Sequence, residues 1–199
     1  MEARVVRISV APIKSFGLVH PDEVMLQEGG VVGNRRFWLC DEQGALYAGK
    51  RDGALLRIRP AWDESTRRLA LTFPDGGRVE GIVELGDAVD ARLYRQPRPS
   101  HRVVGPWEEA ISSYVGRRLT FLWADADAVN GDIGRCVVTS RDPDRGVIDT
   151  PTLAALVVYR PEGRTEHLPF GIYGTVLVPG RVLVGDAVTP GTSVLTGSV

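Results

Sequence analysis

The 199-residue chain predicts a mainly β protein with two short helices. Segments that alternate apolar and polar residues dominate its first hundred positions, punctuated by turns rich in Gly, Asp and Pro. Only two windows, near Pro106–Val115 and near Pro151–Tyr159, combine helical spacing with capping residues.

Arg4 to Ala11 mixes polar and apolar residues nearly in alternation and reads as a half-buried opening strand that Pro12 ends. Asp22 to Gln27 reads as a second strand, after which Gly29-Gly30 and Gly33-Asn34 turn the chain into Arg35 to Cys40. Asp41-Glu42-Gln43-Gly44 is turn chemistry, and Ala45 to Ala48 returns as a hairpin partner. Leu55 to Trp62, Arg68 to Phe73 and Arg78 to Leu85 continue the strand pattern, with Pro74-Asp75-Gly76-Gly77 as the loop between the last two. At Pro106 the period changes. Trp107, Ala110, Ile111, Tyr114 and Val115 recur at helical spacing, Glu108 and Glu109 occupy the first turn, where the helix dipole favours acids, and Gly116 supplies a stop. Arg117 to Ala124 returns to strand character, and Asp125 to Asp132 is a polar connection. Thr150 caps a second helix whose first residue is Pro151 and whose end is Pro161. Strands near Gly171 to Val178 and Arg181 to Val184 flank a Pro179-Gly180 turn, and the Gly/Ser/Thr-rich tail from Pro190 is expected to be mobile.

The length accommodates one large domain or two small ones sharing an interface. Its 24 basic and 25 acidic residues nearly cancel, which argues against nucleic acid or an anionic membrane as the main partner, although a local basic pocket is still allowed. Arginine supplies almost all the positive charge; Lys14 and Lys50 are the only lysines. No apolar run is long enough to span a membrane and no signal-peptide core precedes the first strand, so a soluble, cytoplasmic protein is expected. Cys40 and Cys136 lie far apart and lack metal-finger spacing; a reduced pair is the simplest reading, and a Cys40–Cys136 disulfide stays open. His20, His101 and His167 have no partners at metal-ligand spacing, and the nucleophile elbow and phosphate loop are both absent. Hydrolase and nucleotide-binding classes therefore have no support, and pyridoxal phosphate is not expected.

The stretch from Gly134 to Gly146 concentrates the chemistry. Cys136 sits beside Arg135 near the start of a β-branched run that ends in an Asp142-Pro143-Asp144 turn closed by Gly146. On residue type alone Cys136 is as well explained as a small buried hydrophobe. The neighbouring guanidinium favours thiolate, the form that acts as nucleophile or soft metal ligand. Cys40, between Leu39 and a turn aspartate, reads as packing. Lys14-Ser15, just after Pro12, places a cation and a hydroxyl at a strand end, where they could hold phosphate oxygens or simply form a solvated turn.

The run RCVVTSRDPDRG, with LPFGIYGTVLVPGRVLVGDAV from Leu168 to Val188, resembles the end of a MOSC domain, the β-barrel module named after the C-terminal part of molybdenum-cofactor sulfurase. APIKSFG, VGNRRFWLCDEQG and AGKRDG resemble the β-barrel domain that precedes MOSC in amidoxime-reducing proteins. The resemblance implies an N-terminal MOSC-type β-barrel over residues 1–104, a MOSC-like β-barrel over 105–189 and a tail over 190–199. It implies a molybdenum-pterin cofactor contacted by Lys14, Ser15, Arg36, Arg51 and Arg135, with Cys136 as metal ligand and catalytic sulfur. Arg35 stands where the family usually has Asp, and Phe170-Gly171-Ile172-Tyr173-Gly174 matches a segment whose glycines allow close backbone approach. Between Ala124 and Ile133 a few loop residues replace a longer family segment carrying an Arg-Phe-Arg element, so the second barrel is shortened and a second copy of the chain is expected to cover exposed edges. The functions implied are reduction of N-hydroxylated compounds with electrons from a redox partner, sulfur carriage on a Cys136 persulfide, or a non-catalytic binding module.

Overall fold

Strand β4 (Phe37–Cys40) is buried at every position, and its place in the sheet explains why its sequence is apolar throughout rather than alternating. The computed structural model describes residues 2–93, 96–125, 141–142, 144–148 and 176–189. Within these, β1 is Ala3–Arg4, β2 Glu23–Gln27, β3 Gly30–Val31 and β5 Leu46–Tyr47. They are followed by β6 (Arg59–Asp63), β7 (Arg68–Thr72), β8 (Arg78–Ile82), β9 (Glu84–Leu93) and β10 (Gln96–Val104). The helix α1 (Trp107–Val115), β11 (Thr120–Ala124), β12 (Gly180–Leu183) and β13 (Ala187–Val188) complete the order.

A five-stranded sheet runs β5-β4-β11-β10-β9, and it curls until Ala45 bridges Arg92 and the two outer strands touch. One face, bearing Phe37, Leu39 and Phe121, packs against β6-β7-β8 and against Trp107 and Ile111 of α1. The other face, bearing Trp38, Cys40, Leu122, Ala91 and Leu93, forms a second core inside the curl. There Trp38 Nε1 donates to Ser100 Oγ at 3.2 Å, so the one polar atom of the indole is not left unpaired. Trp107 likewise donates its indole N–H to the Leu69 carbonyl at 3.3 Å, pinning α1 to the three-stranded sheet. The helix begins and ends where its spacing and Gly116 predict, with Gly116 at φ 65°. Core residues thus come from both sides of position 104.

Three readings change. Leu55 to Ile58 is not strand: Asp52 accepts from the Ala54 N–H at 2.9 Å and starts a 3-10 turn over Gly53–Arg57, so the apolar run buries Leu55 and Leu56 without pairing. Among the described residues, the Arg4 to Ala11 segment forms strand pairs at Ala3–Arg4 with β13 and at Val10 with Val19, with Val5 also bonded to Gly185 and Asp186, and Val6 is exposed. The long hairpin of β9 and β10 escaped the pattern because Pro97 and Pro99 argue against a central strand. Both prolines precede Ser100, where β11 begins to pair, so neither removes a bond to β11.

Strand β12 lies against β2, from Gly180 opposite Leu26 to Leu183 opposite Glu23. The helix expected from Pro151, the first part of the strand expected over Gly171 to Val178 and the tail from Pro190 lie outside the described residues; residues 176–178, which are described, are not strand. Among the described residues no helix is long and apolar enough to cross a membrane.

Candidate cofactor-contact site

The segment before Lys14 runs beside the entry to β4. Arg35 N–H donates to the Ala11 carbonyl (2.6 Å), Phe37 N–H to Pro12 (3.1 Å) and Lys14 N–H to Phe37 (2.8 Å). This short parallel ladder, centred on Ile13 opposite Phe37, sets Lys14-Ser15 next to Arg36-Phe37 although they are distant in sequence. Lys14 is 8% exposed and Arg36 9%, so two cations on neighbouring segments are nearly withdrawn from water. Ser15 holds φ at 72°, a left-handed conformation that costs a non-glycine residue about 1 kcal/mol and is concentrated at functional turns.

Arg36 is anchored by an aromatic cluster. Its guanidinium stacks 4.8 Å from the Trp123 ring centroid and pairs with Glu64 at 3.2 Å; Trp62 Nε1 donates to the same carboxylate at 2.7 Å. Phe37, Trp62 and Trp123 meet edge-on with centroids 5.0 to 5.8 Å apart, which fixes the floor under the cation. The arrangement presents a positive group with little freedom to move.

Arg51 belongs elsewhere. It pairs with Asp41 at 2.8 Å and stacks over Tyr47, at the C-terminal end of β4, whereas Arg36 enters the N-terminal end. The five-residue step from Arg36 to Asp41, the partner of Arg51, spans about 16 Å of extended chain. Asp41 also accepts from the Gln43 and Ala45 N–H groups; together with the Arg51 contact these outweigh the opposing effect of its burial and hold the carboxyl below its usual range. Arg51 therefore serves a turn here, and the structure does not bring it to Lys14 and Arg36.

The residues after the cysteine run form a self-contained turn. The Asp142 carboxylate accepts from the N–H groups of Asp144 (2.8 Å) and Arg145 (2.7 Å), and Gly146 N–H closes on the Asp142 carbonyl at 2.8 Å. The turn docks on the segment Asp52–Arg59. Gly146 and Gly53 touch backbone to backbone, so closely that a Cβ on either would overlap the carbonyl oxygen of the other. Arg57 Nε donates to the Asp144 carbonyl at 2.9 Å, and Arg59 pairs with the Asp144 carboxylate. Arg57 and Arg59 were missed in the sequence because a strand reading of Leu55 to Trp62 sends both charges to solvent. Cys136 and Arg135, and the Phe170–Gly174 segment, lie outside the described residues. Among the described residues no three His, Cys, Asp or Glu side chains group closely enough to hold a metal.

Residues 2–99 match the family described as the MOSC N-terminal beta barrel domain. The chain belongs to the MOSC-domain family. None of the curated proteins matches it. Among solved structures, the solution structure of a protein from Bordetella bronchiseptica is similar at 17% identity and a TM-score of 0.37, covering 53% of this chain and 89% of that one.

Lys14, Ser15, Arg36, Arg51, Arg57 and Arg59 all fall inside the residues matched by the MOSC N-terminal beta barrel domain. Two shallow clefts along α1, lined by Arg102, Glu108 and Glu109 among others, contain none of these six side chains. Cys40 is a free thiol, 2% exposed inside the curl, and burial pushes its pKa up from 9.0 to about 11. A raised thiol pKa stabilises the fold fully below the unfolded value near 9 and loses that contribution as pH rises toward 11. Native protein at pH 8 is therefore expected to leave Cys40 unlabelled by iodoacetamide over hours, with labelling only in denaturant. Peptide mass spectrometry checks this.

Proposed function

We propose that this MOSC protein seats a molybdenum-pterin cofactor and reduces N-hydroxylated compounds in the cytoplasm, taking electrons from a redox partner protein. The observation that carries the reading is the pair of nearly buried cations, Lys14 and Arg36, on adjacent segments beside the strained Ser15. This donor set suits a phosphate. Lys14 contributes a point charge, Arg36 a fork fixed by Trp123 and Glu64, and Ser15 a hydroxyl whose backbone is already in the turn conformation. Because these groups are ordered by the fold, little freedom is lost when an anion arrives. When bound, the molybdenum centre supplies two-electron reduction, with Cys136 as its protein sulfur ligand. Arg135 beside Cys136 favours the thiolate, and Arg51 contributes by holding the turn at Asp41. A second copy of the chain is the partner proposed for β3 and β8, outer strands of their sheets among the described residues.

Protein purified from a host that makes the cofactor is expected to carry close to one molybdenum per chain, and Cys136→Ser to lose it, since a hydroxyl is a poor ligand for soft metal. Lys14→Ala and Arg36→Gln are each expected to lower molybdenum content several-fold through the phosphate end. Wild-type protein without metal, but with a persulfide on Cys136 after exposure to a cysteine desulfurase, would replace the reductase by the sulfur carrier. Finding neither would leave a binding module.

A further inference from the structure

We propose that Arg59 is a positioning residue that holds the turn closing the Cys136 run against the Lys14–Gly17 turn, with the Asp144 carboxylate as its anchor. This rests on the cofactor reading above and adds a contact between the Lys14–Gly17 turn and the turn that follows the Cys136 run in sequence. One side chain touches both turns. Arg59 Nη1 and Cδ lie 2.7 and 2.9 Å from where a Cβ on Gly17 would stand, and Gly17 N–H donates to the Ile58 carbonyl at 3.0 Å. The same guanidinium pairs through Nη2 with Asp144, while Arg57 Nε takes the Asp144 carbonyl at 2.9 Å. Arg59 is the first residue of β6, opposite Thr72, and the fully buried Ile58 precedes it, so the arm projects from a rigid base.

Among the described residues, the hydrogen bonds that shape the Asp142–Gly146 turn go to Asp142 and not to the Asp144 carboxylate. Asp142 accepts both N–H groups that shape it, leaving Asp144 to point at Arg59. The pair is exposed, 43% on the arginine side chain and 79% on the aspartate, so it contributes little to global stability. Its effect is local: it selects where an already formed turn sits.

Hydrogen exchange on the full-length protein tests this. Arg59→Gln is expected to speed exchange about threefold to tenfold at the Asp142 and Gly146 amides and also at the Gly17 amide. Asp144→Asn is expected to do so at Asp142 and Gly146 alone. The charge-swapped double variant, Arg59→Asp with Asp144→Arg, restores protection at Asp142 and Gly146, which independent, unpaired roles of the two residues would not. Molybdenum content is expected to fall in both single variants while the melting temperature stays within about 2 °C of wild type. Unchanged exchange at either turn in Arg59→Gln, or no restoration in the swap, overturns the proposal. Absence of molybdenum from the wild type would sink the cofactor reading alone, since exchange and its rescue decide on Arg59.

Discussion

A chain ended after Val104 is expected to remain unfolded, whereas one ended after Asp125 folds. The shorter chain covers the whole match to the MOSC N-terminal domain, yet it lacks Trp107, Ile111, Leu119, Phe121 and Leu122, each at most 2% exposed. Burying one such side chain contributes roughly 1.5–3 kcal/mol, so five contribute about 8–15 kcal/mol. That matches the entire stability of a typical domain, about 5–15 kcal/mol. The loss also strips β11 from between β4 and β10, opening the five-stranded sheet at its centre. Ending at Asp125 removes β12 and β13, whose residues are at most partly buried, and leaves both cores whole among the described residues. Far-UV circular dichroism with thermal melting distinguishes the two. A cooperative transition in the shorter chain would show that the core does not need α1 and β11.

The second large effect is expected from Gly53→Ala. Gly53 is not in the left-handed region, so alanine suits its backbone; the obstacle is the Gly146 carbonyl, into which the new Cβ would project, with Arg141 Nη1 also at 2.5 Å. The 3-10 turn itself keeps Asp52 as cap and Leu55 and Leu56 as buried anchors. The expected outcome is a protein whose core melts near wild type but whose 141–148 turn is undocked. Cleavage by trypsin after Arg145 then rises at least about tenfold, because local opening and not global unfolding exposes the bond. If the cleavage rate stays at the wild-type level, the two glycine backbones are not in contact.

How much of this was legible beforehand depended on the range of the interaction. Helix α1 could be located from its own residues, because apolar spacing, acids in the first turn and a stop glycine are all local signals. The turns at Asp41, Asp75 and Asp142 were legible for the same reason: a carboxylate accepts from amides two to four residues on. The Lys14-Ser15 and Arg36 motifs could be named, and so could Cys40 as packing. The resemblance carried by those motifs, more than their chemistry, led to a cofactor.

Tertiary structure alone decided which of these residues meet. Arg36 and Arg51 are equally basic and lie in neighbouring motifs, but a strand of fixed rise holds them at opposite ends of β4. Arg57 and Arg59 meet Asp144 because the Asp142–Gly146 turn, 85 residues from Arg59 at Asp144, comes down on that segment through a Gly146–Gly53 contact with no side chains to keep it away. Pairing over such distances is set by backbone complementarity and the packing of a shared core, and a chain read in order carries no local trace of either.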